Sequence, residues 1–207
     1  MKLVIGTKNQ AKINQFKSAL KSFDLEIQGL PSNINFPKIE ENYKTALENA
    51  RKKSLIYAKL VGRPVISMDN ALYFEDLPEE QQPGTNVRHF NNRADRPTDL
   101  ELIDYYKKII ISLGNKINGY WEYGICAATP AGELKETVFR TPRIFVSKPS
   151  QKIIDGYPLE SLQIDSKTGK YSSEMTQVEK DNFYQRQGTT GQKLRDFITS
   201  LPDYFLS

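Results

Sequence analysis

The sequence predicts an α/β fold built on a mixed central β-sheet with flanking helices. Three observations carry this expectation. Short apolar runs at 2–6 and 64–68 read as buried strands, stretches with three- and four-residue apolar spacing read as helices, and two long strand-like stretches meet at a single turn.

The first apolar run ends at Gly6, and a helix is expected from about Asn9 to Phe23. There Ile13, Phe16, Ala19, Leu20 and Phe23 share a stripe, while Lys12, Lys17 and Lys21 face elsewhere. Leu25 to Leu30 alternates as a strand with one exposed face, and Pro31 ends it. A second helix is expected from about Asn42 to Val61, with Tyr43, Leu47, Ala50, Tyr57 and Val61 near one stripe. The run Pro64 to Met68 is then a buried strand ending at Asp69.

Residues 75–97 are rich in Pro, Asn, Gln and charge, which marks an active-site or dimer loop. Thr98-Asp99-Leu100-Glu101 is a capping box that opens a helix ending at Gly114. Strands over about 117–129 and 133–146 are joined by Pro130-Ala131-Gly132 as a hairpin. The stretch 147–190 reads as loop-rich, and a last amphipathic helix carries Leu194, Phe197, Ile198 and Leu201 before Pro202.

A chain of 207 residues suits a single domain, 1–207. With 38% hydrophobic and 26% charged residues, a packed core is feasible and global disorder is not expected. No apolar run approaches the ~20 residues of a membrane helix, and the run at 2–6 is too short for a signal peptide. One cysteine, Cys126, and one histidine, His89, argue against an internal disulfide and a zinc site, and fit a reduced, cytoplasmic setting. A formal net charge of +4 is mild, and no nucleic-acid-binding motif accompanies it. The densest basic run, Arg51-Lys52-Lys53, reads as a solvated helix face, with phosphate attraction as the alternative. Tyr120, Trp121 and Tyr123 in the hairpin read as packing or interface residues before base-stacking ones.

Three constellations carry chemistry. Gly6-Thr7-Lys8-Asn9-Gln10-Ala11-Lys12 joins a strand to a helix, where unsatisfied N–H groups and the positive dipole end favour an anion. Ordinary N-capping by Thr7 or Asn9 accounts for the same residues. Glu40 and Glu41 precede the second helix, in which Thr45, Glu48, Asn49 and Lys52 or Lys53 fall on neighbouring rows. Acids at a helix start also serve as plain dipole partners. Pro64-Val65-Ile66-Ser67-Met68-Asp69 delivers a carboxylate to the end of a buried strand, where open α/β sheets bind ligands, although Asp69-Asn70 also suits a turn.

Together these segments resemble the inosine triphosphate pyrophosphatase family, house-cleaning enzymes that remove deaminated purine nucleotides. The order Thr7-x-Asn9-x-x-Lys12, then Glu48-Asn49-Ala50 behind Glu41, then Pro64-Val65 with Asp69 and Leu72, then Pro83-Gly84, follows the family. Downstream, Pro83 to Phe90 looks like its Pro-Gly-x-Tyr-x-Lys/Arg segment. Ser173-Glu174-Met175 resembles its Ala-Glu-Met/Leu, and Lys180 to Arg186 stands where it carries Lys-Asn-x-x-Ser-His-Arg. The resemblance spans nearly the whole chain.

What the resemblance implies is an elongated sheet with two lobes around a nucleotide cleft, a homodimer, and Mg2+ as cofactor. The substrate is a nucleoside triphosphate, with neither a nucleic-acid nor a membrane partner. Thr7, Asn9 and Lys12 would hold the triphosphate, with Lys53 and Arg88 as further substrate contacts. Glu41 and Asp69 would bind the metal and orient a water, Asp69 being the catalytic residue. Lys180, Tyr184, Gln185 and Arg186 would face the base and sugar.

The chain departs from the family in several places. Met68 stands where a second acid is usual, and Tyr184-Gln185-Arg186 replaces Ser-His-Arg. Gly156-Tyr157-Pro158 lacks the family's aspartate, for which Glu160 or Asp165 are candidates, and the expected Gly-rich segment is missing around Phe139 to Ile144. The phosphate half thus looks retained and the base half rewritten. The expected activity is cleavage of (deoxy)nucleoside triphosphates such as ITP or XTP to monophosphate and pyrophosphate. The alternatives are a non-catalytic nucleotide sensor, motivated by Met68, and a related nucleotidase for other bases, including pyrimidine or methylated ones.

Overall fold

A computed structural model describes residues 2–37, 39, 43–88, 95, 97–187 and 190–206, with backbone alone for 184–187. The architecture is mixed α/β, with sheet order β2-β1-β3-β4-β5-β6. The strands are β1 (Lys2–Ile5), β2 (Glu26–Gln28), β3 (Val65–Phe74), β4 (Lys116–Ala128), β5 (Leu134–Val146) and β6 (Gln163–Ile164). The helices are α1 (Gln10–Ala19), α2 (Ala46–Val61), α3 (Asp99–Ser112), α4 (Gln177–Gln187) and α5 (Thr190–Thr199). β2 and β3 both pair parallel to β1, and β6 pairs antiparallel to β5. The chain divides into two compact units. Unit 1 is 1–70, 122–139 and 189–207, and unit 2 is 71–121 and 140–188.

In unit 1, Val4, Phe36, Tyr57, Ala58, Val65 and Ala128 form one apolar core cluster. Helix α2 reaches it through a stripe of small residues. Ala46, Ala50, Ser54 and Ala58 recur every fourth position and are all 0% exposed, so the helix backbone lies close to the strands. The approach also dictates Gly124 on β4, because a Cβ there would stand 2.2 Å from Leu47 N. Ser54 fixes the seating. Its hydroxyl donates to Cys126 O at 2.6 Å and accepts from Ser67 N at 2.9 Å, tying α2 to β4 and β3. Helices α1 and α5 pack together, with Arg195 Nη1 donating to Ala19 O at 3.1 Å.

In unit 2, α3 buries Leu102, Ile103, Tyr106 and Ile110 against Leu72, Phe74, Ile117 and Phe145. Its expected capping box is present: Glu101 N donates to Thr98 Oγ1, and Thr98 N donates to Glu101 Oε2. Within the described part of 75–97, Gln82 acts as a surrogate strand. Its amide accepts from Phe74 N at 2.8 Å and donates to Phe74 O at 2.6 Å, while Leu72 and Gly84 exchange backbone hydrogen bonds. Tyr120 stacks on Tyr73 beneath the Arg140 guanidinium, so it serves packing, as does Trp121 against the α3 cluster.

The structure corrects the sequence reading in four places. Strand β3 does not end at Asp69 but continues to Phe74, because the apolar Ala71 to Phe74 outweighs the turn chemistry of Asp69-Asn70. Helix α2 begins at Ala46 rather than Asn42, since Thr45 and Glu48 make a capping box. Helix α1 ends at Ala19, short of Phe23. Part of the stretch read as loop holds α4, opened by Thr176 and Glu179, with Thr176 N donating to Glu179 Oε2 at 2.8 Å and Glu179 N to Thr176 Oγ1 at 3.3 Å.

Candidate active site

The site in unit 1 forms where strand β1 stops. The β1–β3 register closes with Ile5 opposite Ile66, and Gly6 N still donates to Ile66 O at 2.8 Å. Gly6 is required by proximity, because a Cβ there would stand 2.2 Å from Ser67 Oγ and 2.9 Å from Val65 Cγ1. The chain then turns into α1, while β3 runs on. Asp69 therefore lies beyond the carboxyl end of its parallel neighbour, the place where open parallel sheets present ligand groups.

Two helices bring ammonium groups to this carboxylate. Lys12, in the first turn of α1, places Nζ 3.3 Å from Asp69 Oδ1 and donates to Met68 O at 3.2 Å. Lys53, one turn past Asn49 on α2, places Nζ 3.4 Å from the same Oδ1. Asp69 is 6% exposed and Lys53 7%, so the pair is largely removed from water and each charge depends on the other for compensation. Both contacts fall on Oδ1.

The basic run on α2 splits three ways, which removes the ambiguity between Lys52 and Lys53. Arg51 grips Glu136 with two hydrogen bonds of 2.6 and 2.8 Å, Lys52 lies over the Tyr43 ring at 5.0 Å, and Lys53 turns to Asp69. The paired Arg51 guanidinium holds the Glu136 carboxyl below its ordinary range, through the hydrogen bond first. Glu48 closes the capping box instead of facing a ligand beside Lys53. Asn49 is 1% exposed. It accepts from Tyr43 N at 3.2 Å, while its Nδ2 has no hydrogen-bond partner among the described residues. Burial pushes the Cys126 thiol up to about 12, which removes it as a nucleophile at neutral pH.

Thr7 and Asn9 both do the local work that capping predicts. Thr7 Oγ1 accepts from Asn9 N at 3.1 Å, and Asn9 Oδ1 accepts from Ala11 N at 2.9 Å. Glu40 and Glu41 lie outside the described residues, as does His89. Arg88 and Lys180, in unit 2, are not gathered on a common partner. Arg88 Nη1 meets Asp99 Oδ1 at 3.2 Å and Nη2 donates to Gly156 O at 3.0 Å, while Lys180 Nζ meets Glu160 Oε2 at 2.9 Å. Tyr184, Gln185 and Arg186 belong to α4, and their side chains lie outside the described residues. Ser54 was not singled out by sequence, although its place in the Ala46-Ala50-Ala58 series marks a close helix–strand contact.

Residues 3–196 match the Ham1 family. The chain belongs to that family. It is 26% identical to a dITP/XTP pyrophosphatase of Lactiplantibacillus plantarum, over 98% of this chain and 96% of that protein. A dITP/XTP pyrophosphatase of Prochlorococcus marinus is 28% identical, over 97% and 92% of the two chains. Among solved structures, a HAM1 protein from Coxiella burnetii matches with a TM-score of 0.74 at 19% identity, over 97% of this chain and 100% of that one. At that identity the match speaks for the fold, and it agrees with the mixed α/β architecture above.

The donor set suits a hard, oxygen-seeking divalent cation shared with substrate. No group of three His, Cys, Asp or Glu that could cage a metal occurs among the described residues, and Asp69 contributes one carboxylate at the end of β1. Such a cation keeps several waters and takes phosphate oxygens, so one or two carboxylates suffice.

Proposed function

We propose that this chain is a nucleoside triphosphate pyrophosphatase, a hydrolase that cleaves non-standard purine (deoxy)nucleotides such as ITP and XTP to monophosphate and pyrophosphate. The observation that carries this reading is the convergence of Lys12 and Lys53 on buried Asp69 beyond the end of β1. The cluster gathers two ammonium groups from two helices beside the first turn of α1, cations of the kind that bind phosphate oxygens. The Ham1 family membership and the names of the curated relatives support the same activity.

Lys12 and Lys53 neutralise charge on the triphosphate, which otherwise repels any nucleophile. Thr7 and Asn9 shape the first turn of α1 that faces the phosphates. Asp69 orients a water for attack on the α-phosphorus and takes its proton. The bond from the α-phosphorus to the bridging oxygen breaks, and pyrophosphate leaves with that oxygen. Mg2+, held by Asp69 and Glu41, would supply further charge neutralisation on the phosphate oxygens when bound. Arg88 is a further substrate contact, and Lys180, Tyr184, Gln185 and Arg186 serve the base and sugar. Residues 1–207 act as one catalytic domain, assembled as a homodimer in the cytoplasm, without a nucleic-acid or membrane partner.

The test is pyrophosphate release from a panel of ITP, XTP, dITP and the standard triphosphates, with and without Mg2+. Release confined to the non-standard purines and requiring Mg2+ is expected. Tight nucleotide binding without release from any member would favour a sensor instead.

A further inference from the structure

Helix α4 is poorly supplied with apolar anchors. Among its described side chains, Val178 is 69% exposed and Phe183, at 2%, is the one buried hydrophobic residue. Its ionic ties lie nearer the surface. Lys180 pairs with Glu160 at 2.9 Å with both side chains about one-fifth exposed, and Lys170 pairs with Glu179 at 2.8 Å with still greater exposure. Such a helix takes its register from whatever holds Phe183.

One partner of that buried ring is a cation. Arg143, on β5, is 6% exposed and stands with its guanidinium carbon 5.1 Å from the Phe183 ring centroid. Its Nη1 is fixed by donation to Pro142 O at 2.6 Å, and the strand is fixed by pairing of Ile144 with Ile164 and Phe145 with Gln163. A guanidinium can lie flat on a ring because it is planar and weakly hydrated, and the attraction strengthens as water is excluded. An ammonium in the same place lacks both properties.

We infer that Arg143 is a positioning residue for base selection, setting α4 on the sheet through Phe183 and so placing Lys180, Tyr184, Gln185 and Arg186. The inference rests on the function proposed above and adds a residue that touches neither phosphate nor base. Because Arg143 acts through the helix, its loss should alter nucleotide affinity and discrimination rather than the chemical step.

The experiment compares wild type with Arg143→Met, Arg143→Lys, Phe183→Leu, Phe183→Trp and the double variant Arg143→Met with Phe183→Leu. Pyrophosphate release from dITP and dGTP is measured with Mg2+, alongside hydrogen exchange over 177–187 and thermal unfolding. Arg143→Met and Phe183→Leu should each raise KM for dITP about tenfold and lower the dITP/dGTP ratio of kcat/KM by a similar factor, with kcat nearly unchanged. Exchange over 177–187 should quicken in both. The double variant should go no further than either single one, and Phe183→Trp, which keeps a ring face, should keep the wild-type dITP/dGTP ratio even where its larger ring lowers the unfolding temperature. Arg143→Lys should follow Arg143→Met. An unchanged selectivity ratio in Arg143→Met, or additive effects that track only a lower unfolding temperature, overturns the proposal. If wild type releases no pyrophosphate, the proposed function fails and base selection by Arg143 fails with it. Unaltered exchange in Arg143→Met then removes the helix anchor as well.

Discussion

Lys53 Nζ stands 3.4 Å from Asp69 Oδ1, with each side chain 8% exposed. So deep a pairing is a weak device for stability, because desolvation offsets much of the Coulombic gain. Its position beyond the end of β1 gives it a chemical use instead. Asp69→Asn keeps the size and one acceptor oxygen but removes the charge that takes a proton. Turnover is expected to fall about 10²–10⁴-fold, and thermal unfolding to come earlier because Lys53 loses its buried counter-charge. Retention of activity by a folded Asp69→Asn protein would falsify the role given to this residue.

Lys53→Met separates charge from packing. The methionine fills the aliphatic part of the channel while Lys12 remains 3.3 Å from Asp69 Oδ1. A loss of about 10²–10³-fold in kcat/KM is expected, of the size seen when one preorganised donor to a developing anion is removed. Steady-state pyrophosphate release measures it, and a variant within twofold of wild type rules Lys53 out of the phosphate site.

Gly124→Ala probes the close approach that seats α2. The new methyl would lie 2.2 Å from Leu47 N and 2.4 Å from Leu47 Cα, both backbone atoms that cannot swing aside. The helix must lift from β4, at a cost of about 1–3 kcal/mol. Denaturant unfolding should show that loss. Wild-type stability would mean that the contact is looser than the geometry describes.

Most of the elements in this fold were legible because their signals are local. The Thr98 capping box, the Pro130-Ala131-Gly132 turn and the stripe of Leu194, Phe197 and Ile198 each specify structure within a few residues. The misreadings came where tertiary context decides. Asp69 looked like a strand end because an aspartate inside a buried strand needs distant partners, and Lys12 and Lys53 come from two different helices. Helix α4 was missed because one buried phenylalanine makes no stripe, although Thr176 and Glu179 carry a readable cap. At the site, the sequence pointed to Lys12, Lys53 and Asp69. Helical spacing alone left Lys52 and Lys53 on neighbouring rows, and the family resemblance chose Lys53, while the fold turns Lys52 over Tyr43.

The Arg51–Glu136 pair predicts a pH dependence. Arg51 holds the folded Glu136 carboxyl below its ordinary value of 4.5, so the pair's contribution is fully present above that pH. It is lost as pH falls through the lower folded value, where protonation costs the folded state more than the unfolded chain. The hydrogen bond to Glu136 shifts Arg51 further up from its ordinary value, so it stays charged throughout this range. Its side chain is 43% exposed, so solvent screening limits the pair to about 0.5–1 kcal/mol at neutral pH. The stability difference between wild type and Glu136→Gln should therefore shrink as pH falls below the ordinary carboxyl value of 4.5. A difference that grows on acidification contradicts the assignment.

Ser54→Ala tests how the phosphate cluster is held in place. The hydroxyl receives Ser67 N and donates to Cys126 O, all three residues being at most 1% exposed. Its removal leaves a buried N–H without its acceptor and a carbonyl without its donor, a loss of about 1–3 kcal/mol. Ser67 is two residues before Asp69 and Ser54 follows Lys53, so the same change loosens both halves of the ion pair. Activity should fall further than the loss of folded protein explains. Measuring kcat per folded molecule well below the unfolding transition separates the two effects. If that value equals wild type, Ser54 stabilises the unit without positioning its chemistry.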